Sequence, residues 1–240
     1  MATAREAPAR GDARVVVVIP AYNEAPSIGG VIRGCQAHAD GVLVVDDGSR
    51  DDTAGEAARA GARVLRLDRN CGKGQALQAG ITAAADADVL VFIDADGQDD
   101  PSEIPLLLAA LRPEVDMVIG SRFIGTFEPG AITLINRVGS HALCGVLNVL
   151  FWTRVTDPFA GFRAVRSSAL ARCSLRAARY DIEVDVLLAL LQIGARVVEV
   201  PVRRSPRAHG ASGLDSVVDG TRILLRILDR RLDVARRWAR

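Results

Sequence analysis

Val89-Leu90-Val91-Phe92-Ile93-Asp94-Ala95-Asp96-Gly97-Gln98 runs from five apolar residues straight into two carboxylates. A run without polar alternation is a strand covered on both faces, the habit of parallel sheets under helices. Similar runs lie at Val15–Ile19 and Val42–Val45 before it and at Met117–Ile119 after it, and Ala62–Leu67, interrupted by Arg63 and Arg66, reads as a further strand. Between them the sequence predicts helices at Ser27–Ala37, Asp51–Ala60, Gly74–Ala85 and Pro101–Leu111. Asp100-Pro101-Ser102-Glu103 supplies an N-cap, a first-turn proline and a glutamate three residues after the cap. The alternation implies an α/β fold: a Rossmann-like, mostly parallel sheet flanked by helices.

In open parallel sheets ligands bind beyond the carboxyl ends of the strands. Three polar clusters fall there: Tyr22–Glu24, Asp46–Ser49 and Asp94–Gln98. Asp94 and Asp96, one residue apart after a buried strand, offer hard oxygens suited to Mg²⁺ or Mn²⁺, and Gln98 offers a third. Aspartates in such turns also cap them. Asp47 is the candidate contact to a base or ribose, while Ser49 is expected to cap the next helix. Asn70-Cys71-Gly72-Lys73-Gly74 lacks the spacing of a triphosphate-binding loop, and Lys73 is a candidate for an anion.

At 240 residues, about half of them apolar, the chain suffices for one sizeable domain. Residues 1–13 are Ala/Arg/Pro-rich and are expected to form a disordered tail. Residues 14–120 are expected to form a nucleotide-binding half, and 121–240 an acceptor-binding half with a C-terminal helix. A net charge of +1 gives no bulk bias toward nucleic acid, although the last forty residues are arginine-rich. Four scattered cysteines suit reduced thiols in the cytoplasm, and three isolated histidines have no metal-ligand spacing. The apolar run after the basic tail shows no cleavage-site pattern, and Ala142–Trp152 is too short to cross a bilayer. A soluble or at most peripheral protein is expected.

The second half is less regular. Ile135–Phe151 and Ile182–Ile193 read as helices, Asp157–Arg163 as a loop entering a short strand, and Val197–Val202 as a strand. From Ser216 a long helix carries Arg222, Arg226, Arg230 and Arg237 on one stripe. Leu224, Leu225, Leu228, Leu232 and Ala235 form the opposite one. The usual solution packs the leucines on the domain and leaves the arginines in water. A basic amphipathic helix lying on an anionic membrane competes with it, with Leu143–Trp152 as a second apolar surface.

The motifs recur in a fixed order. Pro-Ala-Tyr-Asn-Glu lies at 20–24, Val-Asp-Asp-Gly-Ser at 45–49, Asn-x-Gly-Lys-Gly at 70–74 and Asp-Ala-Asp-Gly-Gln at 94–98. Gly-Ser-Arg at 120–122, Gly-Phe-Arg-Ala at 161–164 and Val-Glu-Val-Pro at 198–201 follow. The set resembles the family-2 glycosyltransferases, and within them the dolichyl-phosphate mannose synthase and polyprenyl-phosphate glucosyltransferase branch. That resemblance implies a GT-A fold, an inverting transfer, and a nucleotide-diphosphate sugar of the GDP-mannose or UDP-glucose type held with a divalent metal. Pro20, Tyr22, Glu24, Val45 and Asp47 would hold the nucleoside. Asp94, Asp96 and Gln98 would hold metal and diphosphate, with Ala95 contributing backbone. Arg122, Arg137, Ser140 and Arg207 would grip phosphates, including that of a polyprenyl-phosphate acceptor. One departure stands out: the lysine after the Arg-x-x-Gly segment of mannose synthases is Gly213 here.

An anionic phosphate acceptor needs no general base; a hydroxyl acceptor does. Asp181, Glu183 and Asp185 open an apolar helix and could supply one, Asp185 being the candidate, or they could simply serve the helix dipole. Catalysis is therefore assigned to Asp96, Arg122 and Asp185. Transfer to a soluble hydroxyl and a silent nucleotide-binding subunit remain the alternatives.

Overall fold

The structure is a computed structural model describing residues 13–177, 179–207, 209 and 216–238. Residues 1–12 of the expected tail and Gly213 lie outside the described residues. Elements follow in the order β1 (Val15–Ala21), α1 (Ala25–Gln36), β2 (Gly41–Asp46), α2 (Thr53–Arg59), β3 (Arg63–Arg66) and α3 (Lys73–Ala83). Then come β4 (Val89–Phe92), a 3-10 turn (Pro101–Glu103), α4 (Ile104–Ala110), β5 (Met117–Phe127) and α5 (Leu134–Phe151). The chain ends with β6 (Arg163–Arg166), α6 (Ser167–Leu170), α7 (Ile182–Gln192), β7 (Val197–Arg204) and α8 (Ser216–Trp238).

The strands form one sheet in the order β3-β2-β1-β4-β6-β5-β7. Every pairing is parallel except those of β6, which runs antiparallel between β4 and β5. The mostly parallel GT-A-like sheet is thus as expected, with one reversed strand wedged into its centre.

The four-valine run of β1 shows why the sheet is covered twice. Successive side chains point to opposite faces. Val16 and Val18 enter one core with Leu77 of α3, Leu147 of α5, Leu187 of α7 and Ile227 of α8. Val17 and Ile19 enter the other with Ile28 and Ile32 of α1 and Leu107 of α4. Each such fully buried side chain contributes about 1.5–3 kcal/mol.

Some expectations need correction. Asp100 caps its turn through the Ser102 amide as foreseen, but the Glu103 carboxylate accepts from the Arg203 amide of β7 instead of completing a capping box. Ser49 caps no helix. Its Oγ accepts from the Asn23 amide at 2.9 Å, tying the loop after β1 to the loop after β2. The apolar segment judged too short for a bilayer belongs to α5, an 18-residue helix with mean hydropathy 1.3, long and apolar enough by length and composition to cross one.

The largest correction concerns α8. Most of its leucines face out: Leu225 is 59% exposed, and Leu228 and Leu232 are exposed as well, while Leu224 is half-buried. Its inward face carries Ile223, Ile227 and Arg230, the last only 3% exposed. Arg230 donates to Asp185 at 2.7 Å and to the Ser174 carbonyl, and Arg226 donates to Asp181 at 3.0 Å. Buried carboxylates on the neighbouring segment turn the arginine side inward, since leaving them unpaired would cost more than turning leucines outward. The side chains of Ala235 and Arg237 lie outside the described residues. Helix α5 packs on α8 and exposes its own apolar side, with Leu134, Ile135 and Val149 at its surface and Trp152 at its C-cap 90% exposed.

Candidate active site

The site is built at the carboxyl ends of β1, β2 and β4. Asn23, at φ 55°, receives its hydrogen bond from Arg50 N at its side-chain oxygen, and the Glu24 amide donates to Thr53. Together with the Ser49 contact these bonds zip the first two strand ends together. Asp46, fully buried, accepts from the Ser49 amide and lies 3.2 Å from Arg66 Nε. Asp47 turns its carboxylate onto the next loop, accepting from Cys71 N at 2.7 Å and Gly72 N at 2.8 Å. That loop passes so close to Gly48 (φ +68°) that an added Cβ would lie 2.5 Å from the Arg69 backbone. Only glycine fits there.

The clamped loop delivers Lys73 as the first residue of α3. Its ammonium lies 2.6 Å from Asp94 Oδ1 and 2.6 Å from Glu183 Oε1. Burial by itself would lower the lysine pKa, but the two carboxylates outweigh it and hold the pKa above its ordinary value. Asp94 moves oppositely: burial pushes it up, Lys73, Arg204 and Arg122 pull it down, and the net shift is downward. Gly161 lets the loop before β6 pass beneath this carboxylate, since a Cβ there would sit 3.0 Å from both Asp94 oxygens.

Asp96 accepts from the Gln98 amide at 3.0 Å and from Arg207 Nη2 at 2.9 Å, while Arg207 Nη1 reaches Glu24 at 2.7 Å. Arg204, at the end of β7, lies 2.6 Å from Asp99 and 3.8 Å from Asp96, and donates to Gln98 Oε1 at 3.0 Å. Burial raises the Asp99 pKa despite Arg204. Glu24, Asp94, Asp96, Asp99 and Glu183 thus face Lys73, Arg204 and Arg207, with Arg163 lining the same pocket as Asp94 and Glu183: five carboxylates against four cations, a net negative site.

Among the described residues no group of three or more His, Cys, Asp or Glu side chains could hold a metal ion. Two carboxylates with the balance of ligands from phosphate and water is nevertheless the ordinary way Mg²⁺ is held. The hard oxygens of Asp94 and Asp96, each already facing a cation of the chain, fit such an ion.

The expected residues divide into those brought together and those kept apart. Pro20, Glu24, Asp47, Lys73, Asp94, Ala95, Asp96, Gln98 and Arg207 share this edge, with Tyr22 37% exposed beside them. Val45 buries its side chain in the core, so only its backbone is available. Gln98 Oε1 is taken by Arg204 and its Nε2 by the Ser205 carbonyl, so its oxygen is engaged as a tie to β7. Arg122 is held by Asp157 in a two-pronged pair at 2.6 and 2.7 Å. Asp157 is in turn positioned by Glu199, which accepts from the Thr156 and Asp157 amides. Arg137, exposed, and Ser140 lie on α5, and among the described residues neither is hydrogen-bonded or ion-paired to the carboxylate cluster. Asp185 is fully buried and accepts from Arg176 N, Ala177 N and Arg230 Nε. That geometry makes it an anchor for α8, closed to an acceptor.

Two residues take places not singled out from the sequence, the first of them a carboxylate weighed as a base beside the preferred Asp185. Glu183, two positions before Asp185, is the carboxylate that reaches the site. Arg204 is the other; the paired arginines ending β7 were its only signal. Arg163, 1% exposed, donates to the carbonyls of Ala160, Pro158 and Glu183, with burial lowering its pKa to about 10. It thereby locks the loop under Asp94 to the start of α7.

Residues 16–173, well over half the chain, match glycosyl transferase family 2. The chain is 34% identical over 243 residues to an undecaprenyl-phosphate mannosyltransferase of Micrococcus luteus, covering 94% of this chain and 96% of that one. It is 29% identical over 240 residues to a UDP-N-acetylglucosamine–dolichyl-phosphate N-acetylglucosaminyltransferase of Methanococcus voltae, covering 90% and 96%. Among solved structures it is similar to glucosyl-3-phosphoglycerate synthase of Mycobacterium tuberculosis in complex with Mn²⁺, UDP-glucose and phosphoglyceric acid. That likeness has a TM-score of 0.73 at 26% identity and covers 92% of this chain and 81% of the other. With strand-end carboxylates, mostly parallel sheet and family match in agreement, this chain belongs to glycosyl transferase family 2 and is a glycosyltransferase.

Proposed function

We propose that the chain transfers a hexose, with inversion and with the help of a divalent metal, from a nucleotide-diphosphate sugar to a polyprenyl phosphate at a membrane surface. The observation that carries this is the excess of carboxylates over cations at the site, with Asp94 and Asp96 at its centre, which suits a bound cation. The names of the polyprenyl-phosphate-using relatives support the acceptor class, and the exposed apolar sides of α5 and α8 suit a lipid-borne one. Four free cysteines, none in a disulfide, suit a reducing, cytoplasmic face.

Asp94 and Asp96 would hold Mg²⁺ or Mn²⁺ together with the donor diphosphate. When bound, the metal supplies positive charge that stabilises the leaving diphosphate. Asp47 and Tyr22, at the ends of β2 and β1, are the nucleoside contacts of this reading, with Pro20 and the Val45 backbone beside them. Lys73 stays tethered by Glu183 and Arg207 by Glu24, two cations held at the edge where phosphate oxygens arrive. A phosphate monoester carries about −1.5 to −2 charge at neutral pH, so the acceptor is its own nucleophile and needs no side-chain base. Its attack from the face opposite the diphosphate inverts the anomeric centre. Arg122, Arg137 and Ser140, in the acceptor half, are the acceptor-phosphate contacts of this reading; Arg122 would have to leave Asp157 or share it.

The test is a transfer assay with Mn²⁺ or Mg²⁺, a panel of GDP- and UDP-sugars, and short polyprenyl phosphates, read by mass spectrometry. A hexose linked to lipid phosphate is the expected product. Donor hydrolysis without lipid product, with sugar transferred instead to phosphoglyceric acid or another soluble hydroxyl, would move the acceptor away from lipid.

A further inference from the structure

We propose that a cleft between the segment entering α7 and one flank of α8 binds the phosphate headgroup of an anionic bilayer phospholipid, apart from the sugar-transfer site. The cleft, ≈ 370 Å³, is walled by Arg176, Arg179, Arg222 and Arg226 against Asp181 and Asp229. Arg226 belongs to the fold, paired to Asp181 at 3.0 Å. The other three are differently placed. Arg179 is exposed, and its guanidinium has no carboxylate partner among the described residues. Arg222 engages Asp219 through Nη1 at 2.9 Å, and Arg176 engages Asp233 through Nη1 at 2.6 Å. A guanidinium carries five N–H donors in a planar fork matched to phosphate, so one-nitrogen pairings leave donors for an incoming anion.

The occupant follows from what lies beside the arginines. Leu225 lines the same cleft and belongs to the exposed stripe it forms with Leu228 and Leu232. Successive helical residues are separated by about 100°, so Arg222 flanks that stripe on the cleft side. Helix α5, which packs on α8, has exposed apolar residues of its own, Val149 and, at its C-cap, Trp152, the latter a residue type favoured at the membrane–water boundary. A free anion would use the guanidiniums and have no use for the leucines. A phospholipid uses both, phosphate in the cleft and acyl chain along the stripe, as interfacial helices do. The inference does not depend on the sugar-transfer reading, because vesicle binding needs neither donor nor acceptor.

The experiment is flotation of the full chain with phosphatidylcholine vesicles and with vesicles also containing phosphatidylglycerol. The chain is expected to prefer the anionic vesicles, and Arg179→Gln/Arg222→Gln to bind them about thirtyfold more weakly without changing its weak binding to phosphatidylcholine. Equal wild-type binding to both vesicles, or unchanged binding by the double variant, would overturn the proposal. Leu225→Ser/Leu228→Ser is the second variant, expected to weaken binding to both vesicles with the thermal midpoint preserved; undiminished binding would also count against it. Transfer to a detergent-dispersed short polyprenyl phosphate should survive Arg179→Gln/Arg222→Gln. A parallel loss of transfer would make the cleft the acceptor's own phosphate subsite and refute the phospholipid assignment. Inorganic phosphate alone should give no thermal shift that the double variant abolishes; such a shift would make the site one for free phosphate.

Discussion

Replacing Lys73 by methionine tests the electrostatic account of the site most directly. The ammonium is 2.6 Å from each of two carboxylates, and its side chain is 17% exposed against 22% for Asp94 and 8% for Glu183. Methionine keeps the stem and removes the charge, leaving two like charges close together in a poorly solvated place. Removing one partner of a buried pair costs about 3–5 kcal/mol, and at roughly 2–4 °C per kcal/mol for a chain this size the midpoint should fall by roughly 6–20 °C. The sign reverses for metal. In the wild-type chain a divalent cation must displace the lysine from Asp94, whereas in Lys73→Met it meets a bare carboxylate. Mn²⁺ should therefore bind the free variant more tightly than the wild type and raise its midpoint more, while sugar transfer falls for want of the lysine at the diphosphate. Thermal melts in chelator and in Mn²⁺, with Mn²⁺ titration followed by electron paramagnetic resonance, measure both effects. A variant as stable as the wild type in chelator, or one that binds Mn²⁺ more weakly, would refute the reasoning.

Three further outcomes follow from named contacts. Asp96→Asn should lower transfer at least a hundredfold and weaken Mn²⁺ binding, yet leave the circular dichroism spectrum intact, because an amide oxygen can still accept from the Gln98 amide; full activity in excess chelator would refute the metal assignment. Asp185→Asn should destabilise the chain by about 3–5 kcal/mol, since it strips the charge from a fully buried partner of Arg230. The folded fraction should nevertheless transfer sugar at the wild-type kcat, and a selective loss of kcat would restore Asp185 as a base. At pH 8 a thiol reagent should modify Cys71 readily and Cys35 only on unfolding, because Cys35 is fully buried with its pKa pushed up to about 12. Donor with Mn²⁺ should slow the Cys71 reaction, since its amide is bonded to Asp47, and an unchanged rate would argue against a nucleoside beside that carboxylate.

Local pattern along the chain suffices for the layered fold and for the edge that carries the chemistry. Strand runs such as Val15–Ile19 and Val89–Ile93, apolar at every position, have one stable setting, between two layers of helices. Chain direction then puts Glu24, Asp47, Asp94 and Asp96 at one edge, because parallel strands all end on the same side. Those are consequences of local pattern. What pattern could not decide is which of several equivalent groups meets a distant partner. Glu183 and Asp185 are alike in composition and spacing, yet about 200° apart around the helix axis. One therefore reaches Lys73, and the other reaches Arg230 on α8. The antiparallel insertion of β6 brings the Asp157–Gly161 loop under Asp94, and β7 brings Arg204 and Arg207 across from more than 100 positions away. Helix α8 makes the point most sharply. Its two stripes were plain in the sequence, but amphipathicity says only that two faces differ. Which one turns inward was decided by Asp181 and Asp185, buried carboxylates that nothing else in their surroundings neutralises as directly as the arginines of that helix.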